Sequence, residues 1–155
     1  MKGTYQDPLI NVYNLNYLGE LYMGSDEQKF TVVWDTGSGS LLLKSSLCDD
    51  CLGDVFQTGD SSSFAYYSPE GEAYDTTTYL DGTTLYGRWA KDTACPVSGS
   101  ANGCAVAFEF VAIVTASGLS NYESGLLGMG SGNHASATQS EMFMVQMAAD
   151  SDITE

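Results

Sequence analysis

The segment KFTVVWDTGSGSLLL, residues 29–43, limits the fold of this chain more than any other stretch. Its first six residues are mostly β-branched or aromatic, and Leu41–Leu43 form a short apolar run, so both ends predict buried strands. Asp35 stands directly after the first of these strands. A carboxylate in such a place is unfavourable unless it is hydrogen-bonded or neutralised, so Asp35 requires partners nearby.

The residues that follow Asp35 offer such partners. Thr36 and Ser38 carry hydroxyl groups, and a turn that contains Gly37 and Gly39 presents backbone N–H groups. Several hydrogen bonds to a carboxylate favour its ionised form, which is the outline of a catalytic base that holds a water molecule. The spacing alone leaves a structural interpretation open, because an aspartate in a turn commonly bonds only its own backbone.

The rest of the chain contains further strand signals and many turn residues. Tyr17–Gly24 alternates apolar and polar residues, and together with Lys29–Trp34 it predicts a β-hairpin. Asp81-Gly82, between two runs rich in Thr and Tyr, marks a second hairpin. Ala105–Ala116 is the longest strand-like stretch, and the 17 glycines outnumber the 3 prolines. This pattern predicts an all-β chain with many turns.

The length and the end of the sequence refine this prediction. At 155 residues the chain has the size of one domain. Helix-favouring residues in SEMFMVQMAAD (140–150), preceded by the capping-box pattern of Ser136 and Gln139, predict one short helix near the end. Scattered aromatic and turn residues over 61–74 predict irregular surface.

The charge of the chain excludes some partners. Twenty acidic residues against five basic ones give a net charge of −15, which argues against nucleic acid or an anionic membrane as a partner. An acidic working environment would relieve this self-repulsion, although acidity for solubility alone explains the charge equally well. No apolar run reaches the length of a membrane span, and the first residues lack the apolar core of a signal peptide.

The four cysteines form two local pairs. Two short-range disulfides, Cys48 with Cys51 and Cys95 with Cys104, would suit a secreted or lumenal chain. A zinc site is the alternative, but the second pair encloses eight residues of a Gly/Ser loop, which fits zinc-ligand spacing poorly. We therefore expect no metal.

Other catalytic and cofactor-binding motifs are absent from the sequence. No P-loop or GxGxxG pattern occurs, so we expect no cofactor. His134 is the single histidine and lies in a Gly/Ser/Ala stretch without a GxSxG motif. Catalysis of the Ser-His or Cys-His type would depend entirely on this residue, and a plain loop histidine is the better interpretation.

Four separated segments, taken together, resemble a known family. They are DPLINVYNLNYLGELYMGS, FTVVWDTGSGSLLL, TYLDGTTLYGRWAKDT and SGLLGMG. In this order they resemble the first hairpin, the catalytic loop, the flap hairpin and the segment behind the catalytic loop in the N-terminal lobe of a pepsin-like (family A1) aspartic endopeptidase. The resemblance covers roughly residues 8–150. It implies that 1–155 form a single lobe of the pepsin-like acid protease double-psi β-barrel fold, with one short C-terminal helix.

The resemblance assigns roles to residues of the catalytic loop. Asp35 would be one of two aspartates that share a nucleophilic water. Thr36 would belong to the hydrogen-bond grip between the two catalytic loops, Gly37 would donate its N–H to the carboxylate, and Ser38 would bond the outer carboxylate oxygen. One ionised and one protonated carboxyl would then activate water and polarise the scissile carbonyl, as a pair that titrates together.

The resemblance also assigns a flap over the cleft. Tyr79, with Gly82 and Thr83, would close over a polypeptide substrate. The chain departs from the family at Leu42, where the family usually has the tryptophan that bonds the flap tyrosine, and at Leu80, which replaces the usual flap glycine. By analogy with the family, the substrate side chains would be bulky and apolar.

The second aspartate is missing from this sequence, because it contains one Asp-Thr-Gly and no further D-[ST]-G. A complementary C-terminal lobe or a second copy of the chain would supply it, and the resemblance to the bilobal form favours the lobe over a homodimer. The family also implies pepstatin-like inhibitors and a secreted, lysosomal or vacuolar location. A non-catalytic module that binds extended peptides, or that is purely structural, is the alternative function.

Overall fold

A computed structural model of the chain describes residues 8–67, 73–99, 103–130 and 142–150. This part of the chain contains one mixed sheet of nine strands and one helix. In chain order they are β1 (Ile10–Val12), β2 (Asn16–Met23), β3 (Gln28–Asp35), β4 (Leu41–Lys44), β5 (Ala65–Tyr66), β6 (Tyr74–Thr78), β7 (Thr84–Cys95), β8 (Ala105–Ser117), β9 (Gly125–Gly128) and α1 (Phe143–Asp150).

Most elements lie where the sequence predicts them. The first predicted hairpin is β2 with β3, the second is β6 with β7, and the longest strand is β8. The predicted terminal helix is α1. Residues 61–74 were predicted to be irregular, which is wrong for Ala65–Tyr66, because this short strand pairs with β7, and for Tyr74, which begins β6. The two residues of β5 are too few to show a periodic pattern. Residues 68–72 lie outside the described part of the chain. Ser136, Gln139 and His134 lie outside the described residues.

Six strands of the sheet close into a barrel. The strand order β2-β3-β9-β4-β8-β7 returns to its start because β2 also pairs with β7, where Tyr22 lies opposite Cys95. Strand β9 runs parallel to β3 and antiparallel to β4, so it lies between two strands that are neighbours in the sequence. The described part of the chain is therefore all-β apart from one short helix, which confirms the predicted fold class.

Side chains on opposite faces of the strands form two apolar clusters. The first core cluster contains Phe30, Phe56 and Phe110, whose rings meet edge to face with centroids 6.0–6.1 Å apart. Helix α1 packs on this cluster through Phe143 and Met147, one helical turn apart. The second cluster consists of Leu42, Leu85, Val111, Ile113 and Leu126.

The two disulfide pairings predicted from the sequence are confirmed. Cys48 is bonded to Cys51, and Cys95 is bonded to Cys104. Among the described residues, the one group of possible metal ligands is Cys48, Asp50 and Cys51, and the disulfide occupies both of its sulfurs. The described residues contain no helix of the length and apolar character that a membrane span requires.

Glycine makes the insertion of β9 between β3 and β4 possible. A Cβ atom on Gly125 would lie 2.1 Å from the carbonyl oxygen of Leu42, and one on Gly128 would lie 2.5 Å from the carbonyl carbon of Gly39. Backbone occupies the space where a side chain would stand. The turn that follows Asp35 and strand β9 are therefore packed against each other without intervening side chains.

We expect Gly128→Ala to lower the free energy of unfolding by about 2–3 kcal/mol, because the backbone around the added methyl group must shift. Gly59→Ala is the matched control, since a Cβ atom there meets nothing within 4 Å. This control should change the free energy of unfolding by less than about 1 kcal/mol. Urea unfolding of both variants measures the difference, and equal stabilities would contradict the proposed close packing.

Candidate active site

Asp35 is held by the turn that follows it and by the segment after β9. It is the last residue of β3 and is half-buried. The backbone N–H of Gly37 donates a 2.9 Å hydrogen bond to Oδ1 of Asp35. The N–H of Met129 donates a 2.7 Å bond to the carbonyl oxygen of Asp35. Side chain and backbone of this residue are thus fixed from two different parts of the chain.

The rest of the β3–β4 turn (36–40) is bonded to the same segment. The N–H of Gly130 donates to the carbonyl oxygen of Ser38 at 2.8 Å, and the N–H of Gly128 donates to that of Ser40 at 3.0 Å. A Cβ atom on Gly130 would lie 2.8 Å from the Ser38 oxygen. The Gly-Met-Gly sequence therefore allows the backbone to approach the turn and to bond its carbonyls.

The hydroxyl groups of Thr36 and Ser38 form no described hydrogen bond with Asp35. Thr36 is exposed. The Ser38 Oγ is buried and has no hydrogen bond of normal geometry to any described residue, so the predicted bond from Ser38 to the outer oxygen of Asp35 is not formed in this structure. The Tyr79 hydroxyl and Trp34 Nε1 are likewise buried without a described partner. Several unpaired polar atoms thus lie on or near the β3–β4 turn.

The β6–β7 hairpin carries the predicted flap residues in a tight turn. The N–H of Tyr79 donates to the carbonyl oxygen of Thr83 at 2.8 Å, and the N–H of Gly82 donates to that of Tyr79 at 3.0 Å. Gly82 has a φ of +88°, a left-handed conformation that suits glycine. The side chain of Asp81 accepts a 2.9 Å bond from the N–H of Thr83, and Leu80 is fully exposed at the tip.

Tyr79 lies over the apolar surface beside Asp35. Its ring packs against the second cluster, which includes Leu42. Burial and the nearby charge of Asp35 raise the pKa of Tyr79 to about 12, against a smaller opposing effect of the Ser38 hydroxyl. Its hydroxyl therefore remains a proton donor in acid and at neutral pH. The side chain of Leu42 has no N–H that could donate to this hydroxyl, and Trp34 packs against the first core cluster instead.

A pocket of about 180 Å³ joins these elements. Asp35, Tyr79 and Thr83 line it, so the structure brings these three predicted site residues together. Its apolar lining comes from Val33, Leu119 and Leu126, and its charged lining includes Asp81 and Glu123. Among the predicted residues, Thr36, Gly37, Ser38 and Gly82 do not line it.

Sequence reasoning did not identify Asp81 or Glu123 as residues of this pocket. Asp81 lies inside the flap motif, so its position in the motif was an available signal. Glu123 lies in the β8–β9 loop (118–124), far from Asp35 in the sequence, and only the pairing of β9 with β3 brings it to the site. No local pattern marks it.

Lys44 supports the pocket wall from behind. It is 1% exposed, and its Nζ donates to the carbonyl oxygens of Leu52, Ser120 and Glu123 at 2.6–2.8 Å. Burial lowers the pKa of Lys44, and the charges of Glu123 and Asp54 oppose this effect. The ammonium thus ties the β8–β9 loop to the loop of the Cys48–Cys51 disulfide.

Both acidic residues of the pocket favour their charged forms. The backbone and hydroxyl of Thr83 lower the pKa of Asp81. Partial burial opposes ionisation of Glu123, but the hydroxyl and N–H of Ser120, helped by the charge of Lys44, outweigh it and lower the pKa of Glu123. Each carboxylate therefore retains charge at a pH where ordinary carboxyl groups become protonated.

We expect NMR titration of the side-chain carboxyl carbons to give pKa values for Asp81 and Glu123 that lie below those of an ordinary aspartate and glutamate. Ser120→Ala should raise the pKa of Glu123, because the hydroxyl bonds the ionised form. Ser62→Ala, at an exposed serine that bonds Ser25, is the control and should leave it unchanged. An unaltered Glu123 pKa in Ser120→Ala would contradict this explanation.

Comparison with known proteins identifies the family. Residues 16–155 match the family model described as eukaryotic aspartyl protease. Secreted aspartic protease 3 of Candida albicans is 29% identical over 140 residues, which are 86% of this chain and 33% of that protein. Cathepsin E of Aquarana catesbeiana is 32% identical over 71 residues, 46% of this chain and 18% of that protein. Vacuolar protease A of Neurospora crassa is 31% identical over 74 residues, 48% of this chain and 19% of that protein.

The matches cover at most about a third of each of these relatives, whereas the family model covers nearly the whole chain. The matched range contains the β3–β4 turn with Asp35, the β6–β7 hairpin with Tyr79, and strand β9. With its closed barrel and its two disulfides, the chain therefore belongs to the eukaryotic aspartyl protease family.

Proposed function

We propose that residues 1–155 form one lobe of an acid-active aspartic endopeptidase and that Asp35 is one of its two catalytic aspartates. The observation that carries this proposal is the placement of Asp35: its carboxylate is held by the Gly37 N–H and lines the pocket that Tyr79 also lines. Membership of the aspartyl protease family supports the reaction class. The polypeptide substrate would lie between the pocket and the β6–β7 hairpin.

The proposed reaction uses two carboxyl groups in opposite protonation states. The ionised carboxyl takes a proton from a water molecule as its oxygen attacks the scissile carbonyl, and the protonated carboxyl donates to the carbonyl oxygen. The C–N bond of the tetrahedral intermediate then breaks. The carboxyl that took the proton of the water gives it to the leaving amine, and one hydroxyl of the intermediate returns its proton to the other carboxylate as the carbonyl re-forms. Tyr79, which stays protonated, would donate a hydrogen bond as the hairpin covers the substrate and excludes water.

Asp35 is one half of this pair, so a partner must supply the other aspartate. We propose a complementary C-terminal lobe, and a second copy of this chain is the alternative partner. Thr36 would help to hold the two catalytic loops together, and its exposed position is suitable for contact with a partner loop. Gly82 would provide the turn of the flap, and pepstatin-like inhibitors would occupy the cleft.

The proposed location is a secretory route or an acidic lysosomal or vacuolar lumen. Its support comes from the two disulfides, which persist in oxidising compartments, and from relatives named secreted aspartic protease and vacuolar protease. The net charge of −15 is compatible with work in acid.

A non-catalytic peptide-binding module is the second candidate function. Leu42 in place of the usual tryptophan and the unpaired Ser38 hydroxyl favour it, because both depart from the family's catalytic arrangement. Such a module would keep the cleft and bind extended peptides by strand pairing without cleaving them.

Hydrolysis of denatured globin at pH 3–5, with and without pepstatin, distinguishes these functions. We use "full-length protein" for this chain together with its proposed C-terminal lobe. We expect pepstatin-sensitive cleavage by the full-length protein and none by the isolated chain. Cleavage by the isolated chain at a rate that rises with the square of its concentration would indicate a homodimer instead. Binding of globin peptides without cleavage by either form would overturn the endopeptidase and support the binding module.

A further inference from the structure

The pocket beside Asp35 combines an apolar wall with carboxylates. Val33, Leu119 and Leu126 provide the apolar wall. Asp81 reaches the pocket from the β6–β7 hairpin and Glu123 reaches it from the β8–β9 loop. Acidic side chains from two separate elements therefore line a cavity that would receive a residue of the substrate.

No described cation forms a salt bridge with either carboxylate. Among the described residues, the ion pairs are Lys29 with Glu20 and Lys91 with Glu109. Lys44 is the cation whose charge acts on Glu123, but its Nζ already donates to three carbonyl oxygens. An ammonium has three N–H donors, so none is left for the Glu123 carboxylate.

The hydrogen bonds that the two carboxylates do form keep them ionised. Glu123 accepts from the N–H and the hydroxyl of Ser120, and Asp81 accepts from the N–H of Thr83. These bonds lower both pKa values, as described above. As the pH falls through the acid range, these two carboxylates thus keep their charge to a lower pH than an ordinary aspartate or glutamate does.

We propose that this pocket binds a basic side chain, lysine or arginine, of the substrate residue next to the scissile bond. This inference rests on the proposed function and departs from the apolar preference that the family resemblance implies. The methylene stem of lysine or arginine packs along Val33, Leu119 and Leu126, and its charged end meets Asp81 and Glu123. A purely apolar side chain instead removes water from the carboxylates and returns no hydrogen bond to them.

A pair of peptides tests the inference in the full-length protein. The peptides are identical except for lysine or norleucine at the residue before the cleaved bond, so they differ by the ammonium group alone. At pH 4.5 we expect kcat/KM to be about tenfold or more higher for the lysine peptide, as for a charged hydrogen bond in a partly screened site. A ratio of one or below overturns the inference.

Substitutions of Asp81 and Glu123 test whether these two carboxylates cause the preference for lysine. Glu123→Gln should lower the lysine-to-norleucine ratio about tenfold, and Asp81→Asn should lower it several-fold because Asp81 is more exposed to solvent. Asp60→Asn, in an exposed turn, is the matched control and should preserve the ratio. Glu123→Lys adds a gain of function, since it should make a glutamate peptide a better substrate than the lysine peptide.

The outcomes separate this inference from the proposed function. If the protein cleaves globin but neither Glu123→Gln nor Asp81→Asn alters the lysine-to-norleucine ratio of kcat/KM, the assignment of the pocket is overturned. Absence of pepstatin-sensitive globin cleavage overturns the endopeptidase itself, and the inference with it. Circular dichroism of each variant confirms that its fold is retained, and Asp81→Ser replaces Asp81→Asn if that variant fails to fold.

Discussion

Replacing Asp35 with asparagine should lower kcat/KM of the full-length protein for a cleaved peptide by at least about 10⁴-fold, as expected for loss of a central catalytic group. Asparagine has the shape of aspartate but cannot accept the proton of the attacking water. Its amide oxygen can still accept the bond that Gly37 N–H donates to Oδ1 of Asp35. The unfolding temperature should therefore change little.

Steady-state kinetics at pH 4.5 and thermal unfolding measure the two parts of this prediction. Asp60→Asn is the control, because it makes the same chemical change in an exposed turn away from the pocket. It should retain full activity and stability. Cleavage by Asp35→Asn within tenfold of the unaltered protein would overturn the role of Asp35, and unfolding of this variant would instead indicate a structural role.

Replacing Lys44 with methionine should lower the free energy of unfolding by about 4 kcal/mol, the order of magnitude for breaking a buried charged interaction. Methionine fills a similar volume but leaves the carbonyl oxygens of Leu52, Ser120 and Glu123 without their donor. Leu52 and Ser120 are exposed residues, so we expect water to replace part of the lost hydrogen bonding. The loss of unfolding free energy should therefore be smaller than that for three buried carbonyl oxygens without any donor.

Lys29→Met is the matched control for this prediction. Lys29 is also on a strand, but it is exposed and pairs with Glu20, so its loss should change the free energy of unfolding by less than about 1 kcal/mol. Urea unfolding followed by tryptophan fluorescence measures both variants. A Lys44→Met variant as stable as Lys29→Met would show that the three carbonyls do not depend on the ammonium.

The Lys44→Met substitution should also affect substrate binding at the pocket. Two of the three carbonyls, those of Ser120 and Glu123, lie in the loop that forms part of the pocket lining. If the proposed function is correct, Lys44 would thus be a positioning residue that acts through this loop on substrate binding rather than on proton transfer. Its clearest kinetic signature would be a raised KM with a smaller change in kcat.

The local elements were predictable because neighbouring residues determine them. Alternation over Tyr17–Gly24 and the Asp81-Gly82 turn mark two hairpins, and the structure contains both. The two disulfides also followed from short spacing. Strand β5 was missed, since Ala65–Tyr66 is a strand only by pairing with β7. The prediction that 1–155 form a single lobe with a separate second lobe remains to be tested.

The motif of the proposed catalytic loop was visible in the sequence, whereas the charged lining of the pocket was not. Asp35, Thr36 and Gly37 stand next to one another, so a local motif suffices to identify them. The position of β9 between β3 and β4 depends on backbone contacts at Gly125 and Gly128. The pattern of apolar and polar side chains does not predict such contacts. The resemblance to a family, rather than periodicity, suggested it.

The sequence by itself determined the all-β class, the hairpins, the disulfide pairing and the acidic motif at Asp35, because each depends on residues close together in the chain. Tertiary structure alone decided that Asp81 and Glu123 share a pocket with Asp35 and that Lys44 is buried behind it. The physical reason is that the effect of a charge depends on its burial and on its hydrogen-bond partners. Those partners come from loops that meet only when the barrel closes.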